Sequence, residues 1–242
     1  MFPNYEVIVS IQTKTKRPNN ILLEVIFNIA IPSIVLMKLS GDEYLGSMYA
    51  LVLALLFPIS YGLYDFVKNK SMNFISLLGF LSTFLTGGIG LFELDVEWLA
   101  IKEAAIPSAI GLVVLISGFW GKPLIAKILL NPMIFNLDLI YESLLNKNKT
   151  DKFKAKIQWA NHLLAATFVF SATMNYLLAK WIVVSPAGTT QFNEQLGEMT
   201  LLSYPVIAIP STIMLMAIMF YVVKSVMKLT DLKLEQILNA DK

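Results

Sequence analysis

Two polar residues in the first apolar segment could carry out chemistry within a membrane. Glu24 and Asn28 are four positions apart, so a helix places them on one face, and Pro32 continues that face. A carboxylate in mid-membrane costs about 3 kcal/mol on insertion scales, so such groups usually face a bundle interior or water. The pair could therefore bind a proton or a cation. Because Glu24 is near the start of the segment, it could instead reach the aqueous interface.

A third candidate, Asn175, lies in a later apolar segment where Ser171, Asn175 and Ala179 recur every four residues. Small residues let helices approach closely, and an Asn amide can bond across to a neighbour. This spacing favours a helix–helix contact, and a polar pathway lined by Glu24, Asn28 and Asn175 is the alternative.

The tetrapeptide Ala-Ile-Pro-Ser occurs three times, each time in a different apolar segment, with its prolines at Pro32, Pro107 and Pro210. Proline removes a backbone donor and clashes with the carbonyl one turn earlier. Neighbouring helices or water can satisfy the freed groups. The three prolines are therefore candidate hinges, and ordinary packing kinks are the simpler interpretation.

Other kinds of site find little support in the sequence. There is no Cys, which excludes disulfides and thiolate metal sites, and the single His162 excludes a two-His metal site within one chain. The acidic run from Glu93 to Glu97 lacks the glycine turn of a calcium loop. No phosphate loop, nucleophile elbow or metalloprotease motif is present, so neither an enzyme nor a cofactor is indicated.

Composition identifies the elements that must position these residues. The chain has 242 residues, of which 56% are hydrophobic and 15% charged, and its mean hydropathy is +0.65. Soluble domains carry about 25% charged residues. Soluble enzymes, nucleic-acid binders and disordered regulators are therefore excluded, and the lipid bilayer is the expected surrounding. We predict one all-α transmembrane domain over residues 1–242, with six spans near 21–39, 47–66, 74–92, 104–120, 159–184 and 201–227.

The charges of the connections agree with this count. Sixteen of the 19 Lys and Arg residues lie before the first span, after the second or fourth, or in the last turn of the sixth and beyond it. The remaining connections carry mainly Asp and Glu. By the positive-inside rule, both termini are cytoplasmic.

Two further expectations concern packing. In the long connection after span four, Ile134, Leu137, Tyr141 and Leu144 recur at helical spacing, which predicts an amphipathic helix. It could lie among lipid headgroups or pack on the bundle. Spans one, three and five are richer in Glu, Asn, Ser, Thr and Gly than spans two and four, so we expect them to form the packed centre, with spans two and four facing lipid.

The stretch from Phe74 to Leu130 carries several motifs in a fixed order. Gly87 and Gly88 belong to a Gly-Gly-x-x-Leu-Phe ending, and an acidic, aromatic loop and a Lys-Pro-Leu-Ile exit follow. Together with the segment around an Asn in span five, this resembles the intracellular septation protein A family of small bacterial inner-membrane proteins. The residues that match are Gly87, Gly88, Asp95, Trp98, Lys102, Lys122, Pro123 and Asn175.

The resemblance implies a compartment and a process but no reaction. It implies a multi-pass protein of the bacterial inner membrane that acts in cell-envelope maintenance or division without catalysis. Other envelope or division membrane proteins would be its partners, and a homo-oligomer is left open. The alternative is a small transporter or channel for protons, cations or another small solute, which the kinked spans and the Glu24–Asn28 pair would favour.

Overall fold

The computed structural model describes residues 26–69 and 74–239, and all of the regular structure in these ranges is helical. In chain order the α-helices are α1 (Ile31–Leu39), α2 (Gly46–Asn69), α3 (Phe74–Leu91), α4 (Glu97–Phe119), α5 (Leu124–Leu129), α6 (Leu137–Asn146), α7 (Thr150–Ile182), α8 (Thr190–Ser203), α9 (Ile209–Thr230) and α10 (Leu234–Ile237). Two five-residue π-turns, Ile26–Ala30 and Tyr204–Ala208, run directly into α1 and α9.

Four helices are long and apolar enough to cross a membrane. They are Gly46–Tyr64, Glu97–Phe119, Thr150–Ile182 and the continuous helix Thr190–Thr230. Two shorter apolar helices, Ile26–Leu39 and Leu81–Leu91, lie in the regions of the predicted spans one and three. The prediction of a helical, multi-pass membrane protein is thus confirmed, and its six-span form stays a prediction.

The boundaries of the last two spans differ from the prediction. The predicted segment 159–184 is part of a helix that begins nine residues earlier, at Thr150. The predicted segment 201–227 belongs to a 41-residue helix that begins at Thr190. The hydropathy signal marks only the apolar part of each, because the polar turns of Thr150–Lys156 and Thr190–Gly197 are helical too.

The connections gather at two ends of the bundle. We call residues 40–45, 92–96 and 183–189 the loop end. There the Thr190 hydroxyl donates to the Ser40 carbonyl at 3.0 Å, and Gly188 lies against the side chain of Glu93. Residues 120–149 and 231–239 form the opposite, cap end, where the Lys147 ammonium reaches the Thr230 carbonyl at 2.7 Å.

The cap end has a hydrophobic core of its own. Ile140 and Leu144 of α6 and Ile237 of α10 are at most 1% exposed, and they pack with residues of α5, α7 and α9. The C-terminal segment closes back on the turn before α6, because the Asn136 N–H donates to the Ile237 carbonyl at 2.8 Å. A folded cap therefore covers this end of the bundle.

The predicted amphipathic helix is α6, and it packs on the bundle instead of lying free among headgroups. The Asn136 amide oxygen caps it by accepting from the Leu139 N–H. Its buried face is centred on Ile140 and Leu144. Ile134, which we had placed on that face, precedes the helix and is 52% exposed.

The expected division between central and lipid-facing spans is wrong for span four. Helix α4 packs along α7, and a Cβ on Gly111 would lie 2.9 Å from the Cβ of Phe168. Gly118 comes equally close to α7, at the side chains of Gln158 and Asn161. Because Gly111 and Gly118 have no side chain, α4 can approach α7 closely. The apolar composition of the span does not predict this contact. Helix α3 contacts mainly α2 and α4.

Candidate functional site

Two of the three residues of the predicted intramembrane polar set, Asn28 and Asn175, lie in the described part of the chain. Glu24 lies outside the described residues. Asn28 is half-buried in the first π-turn. Asn175 donates to the Ser171 carbonyl of its own helix at 2.8 Å and to the Ser171 hydroxyl at 3.3 Å. Within the described ranges no hydrogen bond joins Asn28 to Asn175, so the amide of Asn175 serves α7 itself.

The three candidate hinges fall into two classes. Each of the two π-turns ends at the alanine of an Ala-Ile-Pro-Ser copy, directly before Pro32 and Pro210. At the second, the Ile209 N–H bonds to the Tyr204 carbonyl five residues earlier, which is the π pattern. The third proline, Pro107, lies inside the continuous helix α4. Of the three candidate hinges, Pro32 and Pro210 therefore follow an irregular turn, and the second of these turns also contains Pro205.

The two glycines of the family-like motif have different surroundings. A Cβ on Gly87 would lie 2.7 Å from Leu55 Cδ1 of α2, whereas one on Gly88 would meet nothing within 4 Å. Gly87 thus permits the approach of α3 to α2. Gly88 has no such role in the packing described.

The acidic, aromatic loop leads into a buried lysine. Asp95 is exposed, and its carboxylate accepts from the Glu97 N–H at 2.9 Å, which satisfies a free donor at the start of α4. Lys102, only 8% exposed, donates to the Thr86 hydroxyl of α3 and to the Glu103 carboxylate, both at 2.6 Å. Trp98 lies one turn before it and is exposed. The buried charge is paired and ties α4 to α3.

The Lys-Pro-Leu-Ile exit forms the turn between α4 and α5. The Lys122 N–H bonds to the Ser117 carbonyl at 3.0 Å, and the Lys122 side chain is exposed. After Pro123, the Leu124 N–H donates to the Ser117 hydroxyl at 3.1 Å. These residues build a turn, and their contacts are made by the backbone.

Asn161 is the buried residue that joins this exit to α7. Its amide NH₂ donates to the Val114 carbonyl of α4 at 2.7 Å, and its amide oxygen accepts from the Ile125 N–H of α5 at 3.2 Å. The side chain is fully buried, and Gly118 provides the room for it. The available sequence signal is the four-residue spacing of Asn161 and Ala165, the same pattern as at Asn175 and Ala179.

A second buried amide was missed altogether. Asn193 of α8 donates to the Ser40 hydroxyl at 3.1 Å and to the Ser47 carbonyl at 2.7 Å, so it joins the α1–α2 turn to α8. Among the described residues its amide oxygen has no hydrogen-bond partner, and neither has the buried hydroxyl of Ser33. We had assigned this segment to a polar connection, and only the spacing of Thr190, Asn193 and Gly197 pointed to a helix face.

The chemistry available in these clusters is hydrogen bonding between helices. Across residues 26–69 and 74–239, no three side chains of His, Cys, Asp or Glu converge as metal ligands. The amides and the paired lysine instead hold neighbouring helices together.

Comparisons with protein-family models, with curated proteins and with solved structures give no match for this chain. The resemblance to the septation protein A family therefore stays a prediction from its sequence motifs.

Proposed function

We propose that this chain is a six-span protein of the bacterial inner membrane, with both termini in the cytoplasm, that acts without catalysis in cell-envelope maintenance or division. In this proposal α1 and α3 cross the membrane together with the four longer helices. The chain works by binding other membrane proteins of the envelope or division machinery. The septation protein A-like motifs suggest the process.

One observation supports the proposal that the chain neither transports a solute nor catalyses a reaction. Three buried polar side chains, at three separate places, form contacts between helices. Asn161 lies towards the cap end, whereas Lys102 and Asn193 lie towards the loop end, each against different helices. A solute pathway would need polar groups at successive depths that face one common space.

The cap offers a surface for such partners. Residues 120–149 and 231–239 fold over the basic end of the bundle, and Lys152, Lys154 and Lys156 project from the first turns of α7. A fixed, positively charged surface next to the membrane suits a partner with acidic cytoplasmic segments.

The proposal is tested by removing the chain from a bacterium that encodes it. We expect longer cells and a detergent-sensitive envelope, both restored by the wild-type chain expressed at its normal level. Normal length and normal detergent resistance in the deleted strain would contradict the proposal.

A second measurement separates this function from transport. The purified chain is reconstituted into vesicles under a proton or potassium gradient, beside protein-free vesicles and vesicles treated with an ionophore. We expect the wild type and Glu24→Gln to match the protein-free vesicles. Flux in the wild type that Glu24→Gln abolishes would overturn the proposal and identify Glu24 as a coupling site of a transporter.

A further inference from the structure

Helices α3 and α4 leave an apolar groove between them that the packing does not fill. Its volume is about 680 Å³, and it opens on the outside of the bundle. Leu85 and Ile89 of α3 form one wall, and Ile106 and Ala109 of α4 form the other. Alanine at position 109 leaves room where a larger side chain would close the gap.

The apolar lining of the groove favours a hydrocarbon chain as its occupant. Helix α4 is long and apolar enough to cross a membrane, so the groove opens towards acyl chains. Water in a protein site needs two to four polar partners, and Lys102 is the one charged residue in the described lining. An empty groove would lose dispersion contacts along both walls. A lipid chain restores them.

Lys102 gives the groove a polar end. An ammonium group has three N–H donors, and two of them are used by Thr86 and Glu103. The third has no hydrogen-bond partner among the described residues. Lys102 lies five residues after the start of α4 at Glu97, which is about 7.5 Å along the helix.

This depth is that of the polar groups of a phospholipid. Trp98, one turn closer to the helix end, lines the same groove and is 57% exposed. Tryptophan is enriched at the level of the headgroups. The charged donor therefore lies where a phospholipid carries its phosphate and ester oxygens, and its alkyl chains extend from there into the groove.

We propose that the α3–α4 groove binds one glycerophospholipid, with an acyl chain along Leu85, Ile89 and Ile106 and a phosphate or ester oxygen at Lys102 Nζ. The site is independent of the function proposed above, since it requires only that the open side of the groove faces lipid.

Photocrosslinking tests the position of the chain. The full-length protein is reconstituted in vesicles of phosphatidylethanolamine and phosphatidylglycerol that contain phosphatidylglycerol with a diazirine in its acyl chain. We expect adducts to be concentrated on Leu85 and Ile106, relative to the exposed α9 residues Ile213 and Phe220.

Ala109→Phe fills the groove and should remove these adducts. Val169→Phe, at an exposed site on α7, should keep them. Equal labelling of the groove and α9, or unchanged labelling in Ala109→Phe, would overturn the proposal.

Lipid retention tests the role of the lysine. After detergent extraction, native mass spectrometry should show one phosphatidylglycerol bound to the wild type. Lys102→Met keeps the apolar stem and removes the donors, so we expect retention to fall about tenfold. Lys180→Met, at an exposed lysine on α7, is the matched control and should retain the lipid. Retention by Lys102→Met equal to the control would exclude Lys102 as the headgroup contact. Because Lys102 also ties α3 to α4, Ala109→Phe, which leaves that tie intact, must lose the lipid as well.

Discussion

At the scale of single residues, Asn161 tests what a buried amide contributes to the bundle. Asn161→Leu removes two hydrogen bonds and leaves the Val114 carbonyl and the Ile125 N–H without partners. Each unpaired buried group costs about 1–3 kcal/mol. We therefore expect the apparent Tm in detergent to fall by about 5 °C or more, as measured by a thermal aggregation assay.

Asn175→Leu is the matched control for this substitution. The amide of Asn175 bonds only within α7, to Ser171, so its loss frees no group on another helix. We expect a Tm change below about 2 °C. Equal losses in the two variants would show that the link between helices is not what stabilises the fold.

Asp231 predicts a pH dependence at the cap. Its pKa lies below the ordinary value of 3.8 because Lys147 hydrogen-bonds to the carboxylate, at 2.5 Å, and because Lys147 and Lys149 attract the negative charge. A lowered folded pKa gives stability that is complete above the unfolded pKa and is lost as the pH falls through the folded value. Asp231 has a positive φ of 59°, which Asn tolerates, so Asp231→Asn changes mainly the charge.

The expected result is a lower Tm for Asp231→Asn than for the wild type at pH 7. The difference should shrink when both are melted at about pH 3, below the unfolded pKa. A difference that is the same at both pH values would mean that the carboxylate charge does not stabilise the end of α9.

At the scale of the elements, contact between α1 and α8 depends on a glycine. A Cβ on Gly197 would lie 2.8 Å from the Ser33 carbonyl and 3.3 Å from Leu36 Cβ, so α1 would have to move. We expect Gly197→Ala to lower the Tm. Gly88→Ala meets nothing within 4 Å, and Ala is favoured over Gly in helices by about 1 kcal/mol. That variant should melt at or above the wild-type temperature, and the reverse order would contradict the packing described.

The π-turn before Pro210 should depend on that proline. Pro210→Ala restores a backbone donor, so we expect the turn to revert towards a regular helix and to change the bend between α8 and α9. The chain has no Cys, so spin labels can be placed at Glu198 and Lys224, about 39 Å apart along a straight helix. The distance between them should shift by several ångströms.

The matched substitution is Pro107→Ala, with labels at Ile101 and Trp120. Because Pro107 lies within regular helix α4, we expect no shift there. No shift across Pro210 would mean that this proline does not control the bend, and a shift across Pro107 would mean that Pro107 bends α4 as well.

The positions of the helices could be predicted from the sequence more completely than the contacts between them. Apolar runs and connection charges locate all the long helices, since burial in lipid acts on each segment separately. The helical turns of Thr190–Gly197 were missed because they are polar and are stabilised by continuity with α9 and by contact with α1. The partners of Asn161 and Asn193 depend on which helices become neighbours, and hydropathy does not encode that. The same tetrapeptide behaves differently at Pro107 and Pro210 for a similar reason, since the surrounding helix and its neighbours differ.

At the scale of the whole molecule, the distribution of charged residues and the fold distinguish the same two ends of the bundle. Ten of the 14 described lysines lie in the cap end or in the adjoining turns of α7 and α9, whereas Asp42, Asp95 and Glu198 lie at or towards the loop end. Contacts at each end join segments that are far apart in sequence, as between Thr190 and Ser40 or between Lys147 and Thr230. The proposed chain would pass from one end to the other six times, and for that arrangement the positive-inside rule predicts a cytoplasmic cap end.

Single-cysteine labelling tests that arrangement, since the chain has no Cys of its own. A membrane-impermeant maleimide should label Asp42→Cys, Asp95→Cys and Val184→Cys in intact spheroplasts, because all three positions are exposed at the loop end. Lys152→Cys, in the first turn of α7 beside the cap end, should react only after permeabilisation. Labelling of Asp42→Cys and Asp95→Cys from opposite sides would mean that α2 and α3 do not both cross, and a four-span arrangement would follow. Labelling of Lys152→Cys alone in intact cells would keep the spans and reverse their orientation.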